Sequence, residues 1–111
     1  MNPRQVMSVA VVCLDSNQAK VFRFSEDRME RQTFEPHHGH FDLLAESLAD
    51  EKKILILGTK GVRMRFWNRL QEWFPQTASR VVGQEEADHP SDQQIAQYAL
   101  QYFRKPAGRA G

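Results

Sequence analysis

The stretch Lys53–Phe74, KILILGTKGVRMRFWNRLQEWF, decides the fold. Ile54 to Leu57 is purely aliphatic, with charge before it and Gly58-Thr59-Lys60-Gly61 after it. A short apolar run bounded this way reads as a strand covered on both faces. Beyond the turn, Phe66, Leu70, Trp73 and Phe74 recur at helical spacing, with Trp67 beside them and Arg63, Arg65 and Arg69 off the stripe. Pro75 stops the helix. The segment is therefore a strand, a tight turn and a helix folded back onto a sheet. A helix start with a lysine suits phosphate, but the spacing is not that of a P-loop. A tight turn with Thr59 as a cap is the stronger reading.

Working towards the N-terminus, Val6 to Leu14 is almost continuously apolar and reads as a central strand. It is too short and poorly flanked for a signal peptide, and it holds the only cysteine, Cys13, expected as a buried thiol. Asp15 to Gln18 is a turn whose side chains bond their own backbone. Ala19 to Phe24 is a strand with Lys20 and Arg23 interleaved, and Ser25 to Arg28 is another turn. Met29 to Phe34 carries Glu30, Arg31 and Gln32, which suits a solvent-washed edge strand. The loop Glu35 to His40, EPHHGH, leads to a helix over Phe41 to Asp50, where Phe41, Leu44, Ala45 and Leu48 share a face.

Towards the C-terminus, Arg80 to Val82 reads as a short strand and Gly83 to His89 as an acidic loop. Ser91 with Gln94 forms a capping box opening a helix whose buried face is Ile95, Ala96, Ala99, Tyr102 and Phe103. The element order is β-β-β-α-β-α-β-α. Right-handed crossovers place the later strands beside the first, giving a five-stranded mixed sheet of order 3-2-1-4-5 with helices packed on it. This is a ribonuclease H-like α/β fold. At 111 residues, residues 1–105 suffice for one domain, with 106–111 as a flexible tail. The net charge of +1 provides no global field for nucleic acid, so any basic patch is local. No stretch is long enough to span a bilayer, and a cytoplasmic protein is expected.

ILILGTKGVRMRFWNRL and the following Ala78-Ser79-Arg80-Val81-Val82 resemble the middle domain of eukaryotic and archaeal peptide-chain release factor one and its relative pelota. The chain is also similar to small stand-alone bacterial translational machinery proteins of release-factor-like type. That likeness lies in Cys13-Leu14-Asp15, Ala19-Lys20-Val21-Phe22, the histidine-rich loop, Val81-Val82-Gly83 and Asp88-His89-Pro90-Ser91-Asp92. The resemblance implies association with the ribosome, contacting ribosomal or transfer RNA. Release factors carry Gly-Gly-Gln on the loop before the first helix. Here EPHHGH stands in its place, so the resemblance implies no peptidyl-tRNA hydrolysis and a non-enzymatic role. Gly83-Gln84 falls too late in the chain to substitute.

The candidate RNA-binding residues are His37, His38 and His40 of the loop and Lys60, Arg63, Arg65 and Arg69 of the long helix, with Arg104, Lys105 and Arg109 adding to the basic surface. Imidazoles also bind zinc, and His89 is a distant fourth ligand. Adjacent histidines in a short loop rarely converge on one ion, so no metal and no cofactor is expected. The alternative for this fold is a metal-dependent nuclease, which needs carboxylates gathered around Mg²⁺. Asp15, Glu46, Asp88 and Asp92 are the available set, although Asp15 suits its turn and Asp92 its helix start. The further alternative is a small protein-interaction module, to be marked by a large exposed apolar patch. Trp67, Trp73 and Phe74 are expected in the core rather than as stacking platforms.

Overall fold

The structure is a computed structural model that describes residues 9–15, 18–24, 29–35, 40–88 and 90–104, with His40 and residues 102–104 as backbone. The elements run β1 (Val9–Leu14), β2 (Ala19–Phe24), β3 (Met29–Phe34), α1 (His40–Ser47), β4 (Lys53–Gly58), α2 (Lys60–Trp73), α3 (Pro75–Ala78), β5 (Val81–Glu86) and α4 (Asp92–Arg104). The sheet order is β3-β2-β1-β4-β5, as the sequence predicts. The meander β1-β2-β3 is antiparallel, while β4 and β5 add parallel to β1.

Strand periodicity divides the core in two. Ala10, Val12, Leu14, Ala19, Val21, Ile54 and Ile56 face α1, α2 and α3, meeting Leu44, Leu48, Phe66 and Leu70. Val11, Cys13, Phe22, Leu55 and Leu57 face α4 through Ile95 and Ala99. Successive residues of β1 and β4 therefore feed opposite cores, which is why neither strand alternates with polar residues. Each fully buried Leu, Ile or Phe stabilises the fold by roughly 1.5–3 kcal/mol.

Gly58 ends β4 at φ 151°, a conformation that L side chains rarely adopt. Thr59 occupies the N-cap position of α2 in extended geometry but makes no side-chain capping bond. Its carbonyl accepts the Arg63 N–H at 3.0 Å. The turn is architectural, and the expected Thr59 cap is positional only.

Several boundaries differ from those expected. β5 continues to Glu86, because Leu55 to Gly58 of β4 supply a parallel ladder for Gly83 to Glu86. The ladder closes with Ala87 N–H donating to the Gly58 carbonyl at 3.1 Å. A register shift between Ile54 and Leu55 marks a bulge at this edge, which together with Glu85 and Glu86 blunts it against pairing. α1 stops at Ser47, where the Ser47 hydroxyl donates to the Leu44 carbonyl at 2.7 Å, and Leu48 to Asp50 form a turn. Pro75 ends α2 and also begins α3, since its missing N–H costs nothing at a first helical turn. The expected tail, 106–111, lies outside the described residues.

Candidate nucleic-acid interface

α2 displays most of the candidate cations, but its two flanks differ. Arg63 and Arg69, six residues apart, project about 120° apart around the helix axis. Arg63 turns towards the carboxyl end of the sheet. Its Nε donates to the Gly58 carbonyl at 3.2 Å, and its other nitrogens reach Gln84 Oε1 and Glu86 Oε1, both at 3.4 Å. Only 13% of the side chain is exposed. Arg63 fastens the first turns of α2 to the ends of β4 and β5.

Arg69 turns the other way, to α1. Nε and Nη2 donate to the two Asp42 carboxylate oxygens at 2.8 and 2.9 Å. That bidentate pair holds the Asp42 carboxyl below its ordinary range, chiefly through the hydrogen bonds, and raises Arg69 for the same reason. The Arg69 guanidinium also lies 5.4 Å from the centre of the Trp73 ring. Lys60 and Arg65 are exposed, and among the described residues neither has a side-chain partner.

The loop histidines His37 and His38 lie outside the described residues, as does His89, and His40 is described only as the first residue of α1. Arg104 ends α4 as backbone, while Lys105 and Arg109 lie outside the described residues.

Trp73 departs from the expected core. It is 60% exposed, whereas Phe66 and Leu70 are fully buried. Phe74 leaves helical geometry and is the aromatic that packs against the core beyond Leu70. Trp67 is partly buried against the same core, as expected.

The carboxylates of the nuclease alternative do not assemble among the described residues, where no three His, Cys, Asp or Glu residues gather. Asp15 Oδ1 accepts the Gln18 N–H at 2.8 Å and serves its turn. Asp92 opens α4 on one side of the sheet, and Glu46 rides α1 on the other. The Asp92 carboxylate is already held by Lys20 at 3.1 Å and by Arg31. The Lys20 hydrogen bond, with help from Arg31, keeps it well ionised. Sequence spacing carried no signal for this bridge, because its partners sit on β2, β3 and α4.

A second unforeseen network joins β2 to the α1–β4 connection. Arg23 Nε donates to Glu51 Oε2 at 3.2 Å, Nη2 to the Ser47 carbonyl at 2.8 Å and Nη1 to Gln32 Oε1 at 3.0 Å. No described helix is long and apolar enough to cross a membrane.

Compared with known proteins, the chain matches no protein-family model, and no curated protein matches it by sequence. Its fold is similar to that of the Archaeoglobus fulgidus Pelota, with a TM-score of 0.73 and 14% identity, over 88% of this chain and 32% of that one. It is similar to an archaeal translation termination factor, aRF1, with a TM-score of 0.68 and 12% identity, over 94% and 36%. The Thermoplasma acidophilum Pelota gives a TM-score of 0.61 and 20% identity, over 87% and 32%. The chain thus spans about a third of the length of these proteins. At these identities the likeness establishes a common fold, in agreement with the ribonuclease H-like order of the sheet.

Proposed function

We propose that this chain is a translation-associated protein that contacts ribosomal or transfer RNA and performs no hydrolysis of its own. The observation that carries the reading is the fold match to pelota and to an archaeal translation termination factor over nearly the whole chain. The non-catalytic assignment rests on EPHHGH, which follows β3 and ends on His40, the first residue of α1, where the resemblance implies Gly-Gly-Gln in a release factor. We further assign the chain to the bacterial release-factor-like proteins, acting in the cytoplasm, with residues 1–105 as one domain.

In this reading the loop with His37, His38 and His40 is the functional tip, contacting RNA by imidazole stacking and partial charge near phosphate. On α2, Lys60 and Arg65 lead the phosphate contacts, since they are exposed and have no internal partner among the described residues. Arg63 and Arg69 shape the surface from their positions against Glu86 and Asp42.

Salt-graded co-sedimentation with ribosomes tests this function. The protein should pellet with ribosomes at low salt and leave them steeply as salt rises. Changing His37, His38 and His40 together to Ala should weaken the association. Absence of co-sedimentation at every salt concentration overturns the proposal.

A further inference from the structure

Trp73 is the one large side chain of the α2 stripe that the core leaves in solvent, at 60% exposure. The last turn there is closed, because the Phe74 N–H donates to the Leu70 carbonyl at 2.8 Å. The indole is therefore held outward by an ordered helix end. Arg65, Arg69 and Trp73 stand at i, i+4 and i+8, so they form one row along a single flank, about 6 Å between neighbours and about 12 Å overall. Arg69 is the fixed middle of the row, with its guanidinium over the indole and both ends of its fork on Asp42.

Charge is graded along this row. Around Trp73, Asp42 and Glu72 offset Arg69, since both act on its charge. A phosphate gains little at that end, whereas a neutral base loses nothing by approaching. At the other end Arg65 is exposed and has no internal partner among the described residues, so a phosphate gains there. Lys60 projects on the opposite side of the helix, and Arg63, about 120° from Arg69, is fastened to Gly58, Gln84 and Glu86, so neither joins the row.

We propose that the Arg65–Arg69–Trp73 row is a binding site for a single-stranded RNA segment, with an unpaired base stacked on Trp73 and a phosphate near Arg65. Asp42 is a positioning residue that locks Arg69 and thereby the indole. Stacking on an indole is tolerant of base identity, so the site selects unpaired strands rather than a sequence. This inference rests on the RNA-contact reading above and names the surface and mode of that contact.

The test uses the full chain carrying Trp67→Phe, which leaves Trp73 as the sole indole, with fluorescein-labelled oligoadenylate and an RNA duplex of equal length as probes. Oligoadenylate should quench Trp73 emission on binding. Trp73→Ala, compared with its parent by anisotropy, should lose about ten-fold in affinity for the single strand. Trp73→Phe should retain most of it, and the duplex should respond less. Arg65→Met should lower the slope of log affinity against log salt by about 0.7. Matching urea midpoints for Trp73→Ala and its parent exclude a folding defect.

If oligoadenylate binds but Trp73→Ala binds equally and the indole emission is unmoved, the row is overturned while the RNA reading stands. If Trp73→Ala abolishes ribosome co-sedimentation with oligoadenylate affinity unchanged, the platform serves a protein partner and the RNA row is overturned. If neither oligoadenylate nor ribosomes bind at low salt, the RNA-contact reading fails and the row fails with it.

Discussion

The carbonyl oxygen of Leu14 lies where a side chain on Gly58 would begin, 2.5 Å from the position its β-carbon would take. The two residues are partners at the carboxyl ends of β1 and β4. The close approach and the φ of 151° together restrict this position to glycine. Gly58→Ala therefore combines a strained backbone with a clash against main chain, and should lower stability by about 3 kcal/mol. Gly61 is the internal control: a β-carbon there meets nothing within 4 Å. Gly61→Ala should stabilise by up to about 1 kcal/mol through helix propensity. Urea midpoints moving in opposite directions would confirm the contrast, and equal effects would refute it.

Arg23 and Glu51 form the most enclosed ion pair described, at 23% and 8% side-chain exposure. Removing one partner leaves a largely desolvated charge. Arg23→Met and Glu51→Leu should each cost roughly 3 kcal/mol. The double variant should be less destabilised than the sum of the two, because no charge is then stranded. A double-mutant cycle by urea denaturation measures this, and strict additivity would rule out the coupling.

Acid should unfold the protein partly through Asp42 and Asp92. Both carboxyls are depressed in the fold, Asp42 chiefly by its hydrogen bonds from Arg69 and Asp92 chiefly by that from Lys20. The unfolded values lie near 3.9. Their contribution is thus present above about pH 4 and lost as pH falls through the lower folded values. Asp42→Asn and Asp92→Asn should each flatten the acid limb of stability against pH while leaving the neutral-to-alkaline shape intact. An unchanged acid limb in both variants would contradict the assignment.

Cys13 should act at the opposite end of the pH scale. Burial, with Asp15 adding to it, pushes its thiol up to about 11. An unfolded cysteine titrates near 8.5. Below that value both states keep the proton. Between about 8.5 and about 11 the unfolded chain loses it and the folded chain does not, so stability falls as pH rises. Cys13→Val should remove part of that alkaline loss relative to the parent chain. Native Cys13 should also alkylate slowly at pH 8, and reaction as fast as that of a free thiol would disprove the buried state.

The sequence by itself determined what depends on neighbours along the chain. The bounds of β2 and β3 follow from their flanking turns, and the observed strands match them. The capping box was legible because it spans one helical turn: Ser91 N–H donates to Gln94 Oε1 at 2.9 Å, and Gln94 N–H donates to Ser91 Oγ at 3.1 Å. The apolar runs at Val6–Leu14, whose residues 6–8 lie outside the described residues, and Ile54–Leu57 marked the sheet centre, and crossover handedness then gave its order. The tertiary structure alone decided the rest. Gly83 to Glu86 reads as a polar loop until β4 offers it a ladder, since an edge strand needs no apolar face. Asp92 met Lys20 and Arg31, and Asp42 met Arg69, because charge partners are chosen by distance in space and not by spacing in sequence. Glu86 and Asp42 likewise hold Arg63 and Arg69 against different elements, although the sequence had joined them in one basic surface. Arg65 stays exposed two turns from an outward-facing Trp73, since helical spacing marks a stripe but not how much of it the core covers.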